Sequence, residues 1–554
     1  MKKRMTGWRK TIWRTALRTA AAAMAAAAAG LLAAAFSVSA HAVLESAIPE
    51  PDARLAESPP YVELVFNESV DARAAFLQVL DSDSKAVAKG APEPAAGGRG
   101  VRAALPELGE GHYTVSYRVI SADGHPVSGA FVFTVGEPPA RPAAEDYNPH
   151  RQIGHVHDHG TGGLTLDAFL LYAARFLYYA GLLAAAGLAL WSWQRRAPEE
   201  VRDAREAGIR LAGRFLVLAA LCHVFFQLND LNRGLPLEEW VRVLTRTAMG
   251  GLLLATLGLA VLSLALAVSG PLVRLLWAAA ALAVEAGNGH AAAGGFPALT
   301  IALDAVHLAA ASLWAGGLLL LVAVWRRQPT EAARFALLFS RWALGSFAVL
   351  WVTGTLYTLE ILPAVEYLTL TAWGGWLLAK SALVLAVMAV AFFIRRRLRR
   401  GRVPSGALLV ADAGLLGAIV LSVAVLTYQI PLPSNEPLYW HRMGEDLHLT
   451  LRVSPKAPGD NAFIVKVWLP EDVNGGLPKN VQLRLRADGR MDPFIDVPLQ
   501  PYEDKELDAF EGYTKTTYRA EGPYLPFRGK WTAQIRVTDG TDTERVLERE
   551  FRVY

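Results

Sequence analysis

Eight apolar stretches between residues 164 and 430 restrict what this chain can become more than any other feature. They run over 164–193, 209–228, 246–268, 271–288, 299–325, 335–360, 372–394 and 406–430. An α-helix rises about 1.5 Å per residue, so roughly 20 residues cross the ~30 Å hydrocarbon core of a bilayer. In lipid the backbone must satisfy its own polar groups, and a helix does so within one segment. The fourth stretch is the weakest of the eight, because it is short and carries Arg274 and Glu285. Composition agrees with a membrane protein. Hydrophobic residues make up 53% of the 554 and charged residues only 19%, against about 25% charged in soluble proteins. The expected fold is therefore multidomain: a polytopic α-helical membrane bundle of about eight spans, with a soluble domain at each end.

Arginines in the short loops orient the bundle. Arg195, Arg196, Arg202, Arg205 and Arg210 follow the first span, Arg274 the third, Arg326, Arg327 and Arg334 the fifth, and a run from Arg395 to Arg402 the seventh. The alternate loops hold only Arg233, Arg242 and Arg246. This bias predicts that the loops after spans one, three, five and seven are cytoplasmic and that both flanking domains lie outside. Residues 1–40 agree independently. They carry a basic start from Lys2 to Arg18, an Ala/Leu-rich run and Val38-Ser39-Ala40, the pattern of a secretory signal peptide. Cleavage after Ala40 leaves His41 as the first residue, whereas cleavage after Ala42 discards it. The first site is the reading followed below.

Residues 41–137 alternate apolar and polar in YVELVF, FLQVL, HYTVSYRVIS and GAFVFTV, which predicts a small antiparallel β-sandwich. Residues 138–163 are rich in Pro, Gly and His and read as a linker. The alternation returns over 440–554 in LHLTLRV, FIVKVWL, VQLRLRA, WTAQIRV and LEREFRV, so a second extracytoplasmic β-sandwich is expected there.

The sharpest chemical feature joins His41 to the segment SADGHPVSG at 121–129. A liberated terminal amine and the Nδ1 of its own imidazole can chelate one ion, and an amine of pKa ~7.7 to 8.0 competes only mildly with protons at neutral pH. Asp123 and His125 are two apart, hence on one face of extended chain. Nitrogen and oxygen donors without sulfur suit tetragonal Cu(II). The same residues also read as an Asp-Gly hairpin turn followed by a surface histidine. The single cysteine, Cys222, excludes a disulfide framework and any C-x-x-C metal or redox motif. A net charge of +4 with no basic face gives no sign of nucleic acid as a partner.

Residues 41–136, from HAVLESAIPEPDARL through YVELVFNESV to YRVISADGHPVSGAFVFTVG, resemble the periplasmic copper-binding CopC family. That resemblance implies a Greek-key β-sandwich with Cu(II) held by His41, Asp123 and His125. Some members add a methionine-rich Cu(I) site; residues 41–137 contain no methionine, so Cu(II) alone is expected there. The region from about 165 to 430 resembles the CopD family through NGHAAAGGFPAL, LDAVHLAAASLWAGGL, RFALLFSRWALGSFAVLWVTGTLY and TAWGGWLLAKSALVL. The C-terminal region is similar to the YtkA-like module. Together they imply a multi-pass protein of a bacterial inner membrane, working in copper resistance or uptake, with a periplasmic copper chaperone as a further partner.

Ionisable residues within hydrocarbon are costly and point to a pathway, a relay or a buried pair. His223, Glu285, His290, Asp304 and His307 are the candidates for a copper path. Asp304 and His307 are three apart and share a helical face. Cys222 and His223 are adjacent, so at most one faces such a path. Lys380 and Asp412 read as partners of each other or as residues near an interface. His155, His157 and His159 offer a transient linker site, and His441, Met443 and His448 open the C-terminal domain. No phosphate-binding loop is present, which disfavours ATP-driven pumping. The function expected is capture of Cu(II) outside and movement of copper inward, without enzyme activity and with Cu(I) as an alternative valence within the membrane. The alternatives are membrane-anchored sequestration and a haem- or copper-dependent redox protein.

Overall fold

The computed structural model describes residues 42–554 apart from 43, 52, 83–84, 91, 122–125, 137–164, 195–196, 233–236, 289–296, 363–364, 404, 430, 432–434, 445, 473–475, 489–492, 504–509 and 511. Its N-terminal strands are β1 Leu44–Ile48, β2 Arg54–Leu55, β3 Tyr61–Phe66, β4 Phe76–Leu80, β5 Ala86–Gly90, β6 Glu93–Ala95, β7 Gly100–Ala104, β8 Gly111–Ile120 and β9 Pro126–Val135. They form two sheets, ordered β1-β3-β7-β6 and β2-β9-β8-β4-β5. Strand β3 shows why. Val62, Leu64 and Phe66 are buried while the residues between them are less so, the period of a half-buried strand. Val79, Val101, Val115, Val119 and Phe133 complete that core. All pairings are antiparallel except the two-residue pair β2 with β9.

The helices are α1 Leu166–Leu190, α2 Glu199–Leu231, α3 Leu237–Arg246, α4 Ala248–Leu262, α5 Pro271–Ala286, α6 Pro297–Arg327, α7 Pro329–Ile361, the single turn α8 Tyr367–Leu370, α9 Ala372–Arg399 and α10 Gly406–Leu426. Their starts follow local chemistry. Thr165, Thr247 and Thr371 cap α1, α4 and α9 by accepting from a backbone N–H three residues on, and Pro271 and Pro329 occupy first-turn positions. Among the described residues seven helices are long and apolar enough to cross a membrane. The expected fourth span is α5, whose 16 residues extend only ~24 Å. It forms as a helix at its expected place but is shorter than the hydrocarbon core is thick. The short α3 was not anticipated, because its charges lower its hydropathy.

Small residues set the tightest helix crossing. A Cβ on Gly187 of α1 would lie 2.8 Å from the Cα of Gly316 on α6, and one on Gly316 would lie 2.7 Å from the Cα of Gly187. Only glycine at both positions lets these two backbones touch.

The C-terminal strands are β10 Leu438–Arg442, β11 His448–Ser454, β12 Gly459–Pro470, β13 Asn480–Ala487, β14 Ile495–Val497, β15 Gln500–Pro501, β16 Tyr513–Leu525, β17 Gly529–Thr538 and β18 Glu544–Val553. They build two antiparallel sheets, β10-β11-β12-β16-β15 and β14-β13-β17-β18, around Leu449, Leu451, Phe463, Val465, Leu485, Trp531 and Ile535. The two β-domains belong to one unit. The Ser454 hydroxyl donates to the Glu45 carbonyl at 2.8 Å, and the Arg452 guanidinium pairs with Glu50.

Candidate functional site

Two regions carry the residues singled out in the sequence. In the N-terminal domain His41, Asp123 and His125 lie outside the described residues, as do His155, His157, His159 and His290. Their described neighbours are informative. Ala42 is buried in the sandwich core. Leu44 at the start of β1 pairs with Phe66 at the end of β3. Four residues later Val70 bridges to Ser121 and donates to Gly98, while Asp71 donates to the Ile120 carbonyl. Strands β8 and β9 are a register-matched hairpin closing at Ile120 opposite Pro126. The start of β1, the end of β8 and the start of β9 therefore belong to the same end of the sandwich.

In the bundle, polar side chains gather where α1, α6 and α9 begin and α2, α5, α7 and α10 end. Tyr178 of α1 is central. Its hydroxyl donates to Glu285 Oε2 at 2.7 Å, and its ring stacks on His223 of α2 with centroids 4.6 Å apart and planes 9° apart. His223 and Glu285, 62 residues apart in sequence, are thus two sides of one tyrosine. Both are buried, and the His223 Nδ1 has no hydrogen-bond partner among the described residues. Cys222 is exposed, so of that adjacent pair the histidine faces inward.

One turn before Tyr178, Arg175 is also buried. It donates to Gln227 Oε1 at 2.8 Å and to the Thr427 hydroxyl at 3.0 Å, tying α1 to α2 and to the end of α10. Tyr428 donates to Asp230 Oδ2 at 2.7 Å, and the Arg175 guanidinium lies 5.7 Å over the Tyr428 ring. None of Arg175, Tyr178, Gln227 or Thr427 was singled out in the sequence. Arg175 had a signal, since it is the lone arginine inside the first apolar stretch; the others are ordinary in a transmembrane run until a partner is known.

His307 lies on the α6 and α7 side of that gathering. Its Nδ1 is 2.9 Å from the Thr353 hydroxyl of α7, and its ring lies against Gly354, where a Cβ would be 3.4 Å from Cε1. Asp304, one turn earlier on α6, interacts electrostatically with Glu285 of α5 and with Lys380 of α9. This corrects the reading of Lys380 and Asp412 as mutual partners. The two helices run antiparallel from a shared turn at 400–405, with Lys380 about 19 residues and Asp412 about 6 residues from it, so their depths differ by roughly 20 Å. Asp412 is buried, and its Oδ1 has no hydrogen-bond partner among the described residues.

The opposite end of the bundle holds structural charge. Arg274 of α5 clamps Glu206 of α2 with two hydrogen bonds of 2.7 Å and donates from Nε to the Leu266 carbonyl at 2.9 Å. The two charges that weakened the fourth stretch as a span, Arg274 and Glu285, each have a partner on a neighbouring helix. Among the described residues no three His, Cys, Asp or Glu side chains form a metal-binding group. The bundle instead offers separated imidazoles with one polar partner or none.

Comparison with known proteins agrees with this division. The CopC domain model matches residues 44–136, the N-terminal domain model of copper resistance protein D-like proteins matches 165–299, and the copper resistance protein D model matches 333–427. Copper transport protein CutJ of Bacillus subtilis (strain 168) is 27% identical over 541 residues, covering 91% of this chain and 94% of its own length. Inner membrane protein YebZ of Escherichia coli (strain K12) is 31% identical over 254 residues, covering 40% of this chain and 82% of its own. The crystal structure of CopC from Methylosinus trichosporium OB3b is 36% identical and covers 18% of this chain and 99% of its own, with a TM-score of 0.17. With these models in sequence along one polypeptide and, among the described residues, seven apolar helices of membrane-crossing length, the chain is a multi-pass membrane protein and belongs to the family that joins a CopC domain to a CopD membrane domain.

Proposed function

We propose that this protein handles copper by capturing Cu(II) on its N-terminal domain and conducting copper inward through the bundle, without an enzymatic step. His41, with its terminal amine, Asp123 and His125 would hold the incoming ion. His155, His157 and His159 would receive it transiently, and His290, His223, Glu285, His307 and Asp304 would supply the membrane path. The observation that carries the reading is the gathering of His223, Tyr178 and Glu285 at the end of the bundle opposite the arginine-rich loops. By the charge bias of those loops, that end faces outside, where both β-domains would also lie.

The bundle's separated donors suit passage rather than storage, since conduction requires sites strong enough to enter and weak enough to leave. Movement inward needs no attached motor, because an inside-negative potential supplies about 2.3 kcal/mol per charge for each 100 mV. The test is flux of labelled copper into sealed vesicles containing the wild type, His223→Ala or His307→Ala. Wild-type flux above that of protein-free vesicles, reduced in both variants, is expected. Flux equal to that of protein-free vesicles overturns conduction and leaves the chain an anchored copper binder.

A further inference from the structure

The hairpin that opens the C-terminal domain places three side chains of metal-binding type on one face. In the β10–β11 register His441 pairs with Thr450 and Arg442 with Leu449. The same register continued by one residue sets Met443 opposite His448. Alternation then puts His441, Met443, His448 and Thr450 on the face turned away from the core, while Leu449 and Leu451 enter the core. Side-chain contacts agree. The rings of His441 and His448 both pack on Phe510, at 6.3 and 4.7 Å, and Trp468, cross-strand from His448, lies edge-on to His441 at 6.1 Å.

We propose that this face is a second metal site, in which His441, His448 and Met443 hold a soft monovalent cation, Cu(I). His448 is only 7% exposed, and its Nδ1 is buried without a hydrogen-bond partner among the described residues, an imidazole nitrogen that coordination would satisfy. His441 is oriented by the Thr450 hydroxyl 2.7 Å from its Nδ1. Met443 is 63% exposed, so its thioether is available to an ion arriving from solvent. Two imidazoles and a thioether are neutral donors, and the thioether selects Cu(I) over harder divalent ions. Lys466, on the same face across from Thr450, has partners of its own. A monovalent ion adds the least repulsion beside its ammonium.

The choice of copper within this class rests on the function proposed above; the soft-metal site itself does not. Full-length protein in detergent, labelled with 13C at the methionine methyls, is titrated with Ag(I) as a redox-inert probe and, anaerobically, with Cu(I) against a competing chelator. The Met443 methyl resonance, assigned by its loss in Met443→Leu, is expected to shift with Ag(I). Affinity for one equivalent of Cu(I) should fall at least tenfold in Met443→Leu and in His448→Gln. Because Met443 is exposed, its leucine variant decides the matter if His448→Gln does not fold. An unmoved Met443 resonance at saturating Ag(I), or unchanged Cu(I) affinity in Met443→Leu, overturns the site. Ag(I) binding without Cu(I) binding overturns its assignment to copper alone, and neither result depends on transport.

Discussion

Tyr178 is where the bundle's polar cluster is most open to a quantitative test. Tyr178→Phe deletes the 2.7 Å hydrogen bond to Glu285 and leaves the ring to stack on His223 at 4.6 Å, so it isolates one interaction. A hydrogen bond contributes about 0.5–1.5 kcal/mol between neutral groups and about 1.5–3 kcal/mol to a charged one, with the cost rising when the abandoned partner is buried. Glu285 is buried, so a loss of about 2–3 kcal/mol is expected. Glu285→Leu removes the acceptor from the other side, and in the double variant the hydroxyl and its acceptor are both gone. The cycle should return a coupling energy of about 1–2 kcal/mol. Equilibrium unfolding in mixed micelles, followed by far-UV circular dichroism, measures all four corners, and copper flux into vesicles should fall in parallel. Single effects that sum to the double within about 0.5 kcal/mol would refute the argument, because Tyr178 and Glu285 would then not act as a unit.

Gly316→Val should abolish correct assembly of the bundle, read as loss of the monodisperse peak in detergent, since its side chain would meet the Gly187 backbone where even a Cβ has no room. Arg274→Ala should cost about 2–4 kcal/mol, less than a fully buried pair because Glu206 is about one-third exposed, and Arg274→Lys should restore only part of the melting temperature because one ammonium cannot replace a bidentate fork. In the C-terminal domain, the Thr541 hydroxyl, the Arg545 guanidinium and the backbone N–H groups of Thr541 and Thr543 hold the Asp539 carboxyl well below the usual carboxylate range. A depressed folded-state value means that Asp539 stabilises fully above the unfolded value of ~3.9 and ceases to as pH falls through the folded one, so the melting difference between wild type and Asp539→Asn should be largest at neutral pH and shrink below about pH 4.

Much of the architecture was legible because period and length are local properties. YVELVF became β3 with the alternation its residues announce, and the eight apolar stretches became helices, several of them extended by charged turns such as 199–208 at the start of α2. Strand β16 was not legible. Tyr513–Leu525 is the longest strand of the C-terminal domain and pairs with β12 along almost its whole length, yet TKTTYRAEG lacks an apolar alternation. Its sheet has polar groups packed on the face away from the core, with Lys466 and Thr517 both buried there, so a strand inside it need not look amphipathic.

The same limit explains the candidate site. The cost of charge in hydrocarbon marked His223, Glu285 and Arg274 from sequence, but cost identifies a residue that needs a partner without saying which helix provides it. Partners depend on the rotation and depth of neighbouring helices, which the Gly187–Gly316 contact and the length of α5 help to fix. A 16-residue helix cannot bring both of its ends to the two faces of the hydrocarbon unaided. Arg274 near its start and Glu285 near its end resolve this, each held by a longer helix: Glu206 of α2 at one end and Tyr178 of α1 at the other. The charges that made this segment look least like a span are thus the groups that fasten it in place. Removing either one should therefore loosen α5 from its own end, with Arg274→Ala leaving the His223–Tyr178 stack intact and Glu285→Leu leaving Glu206 clamped.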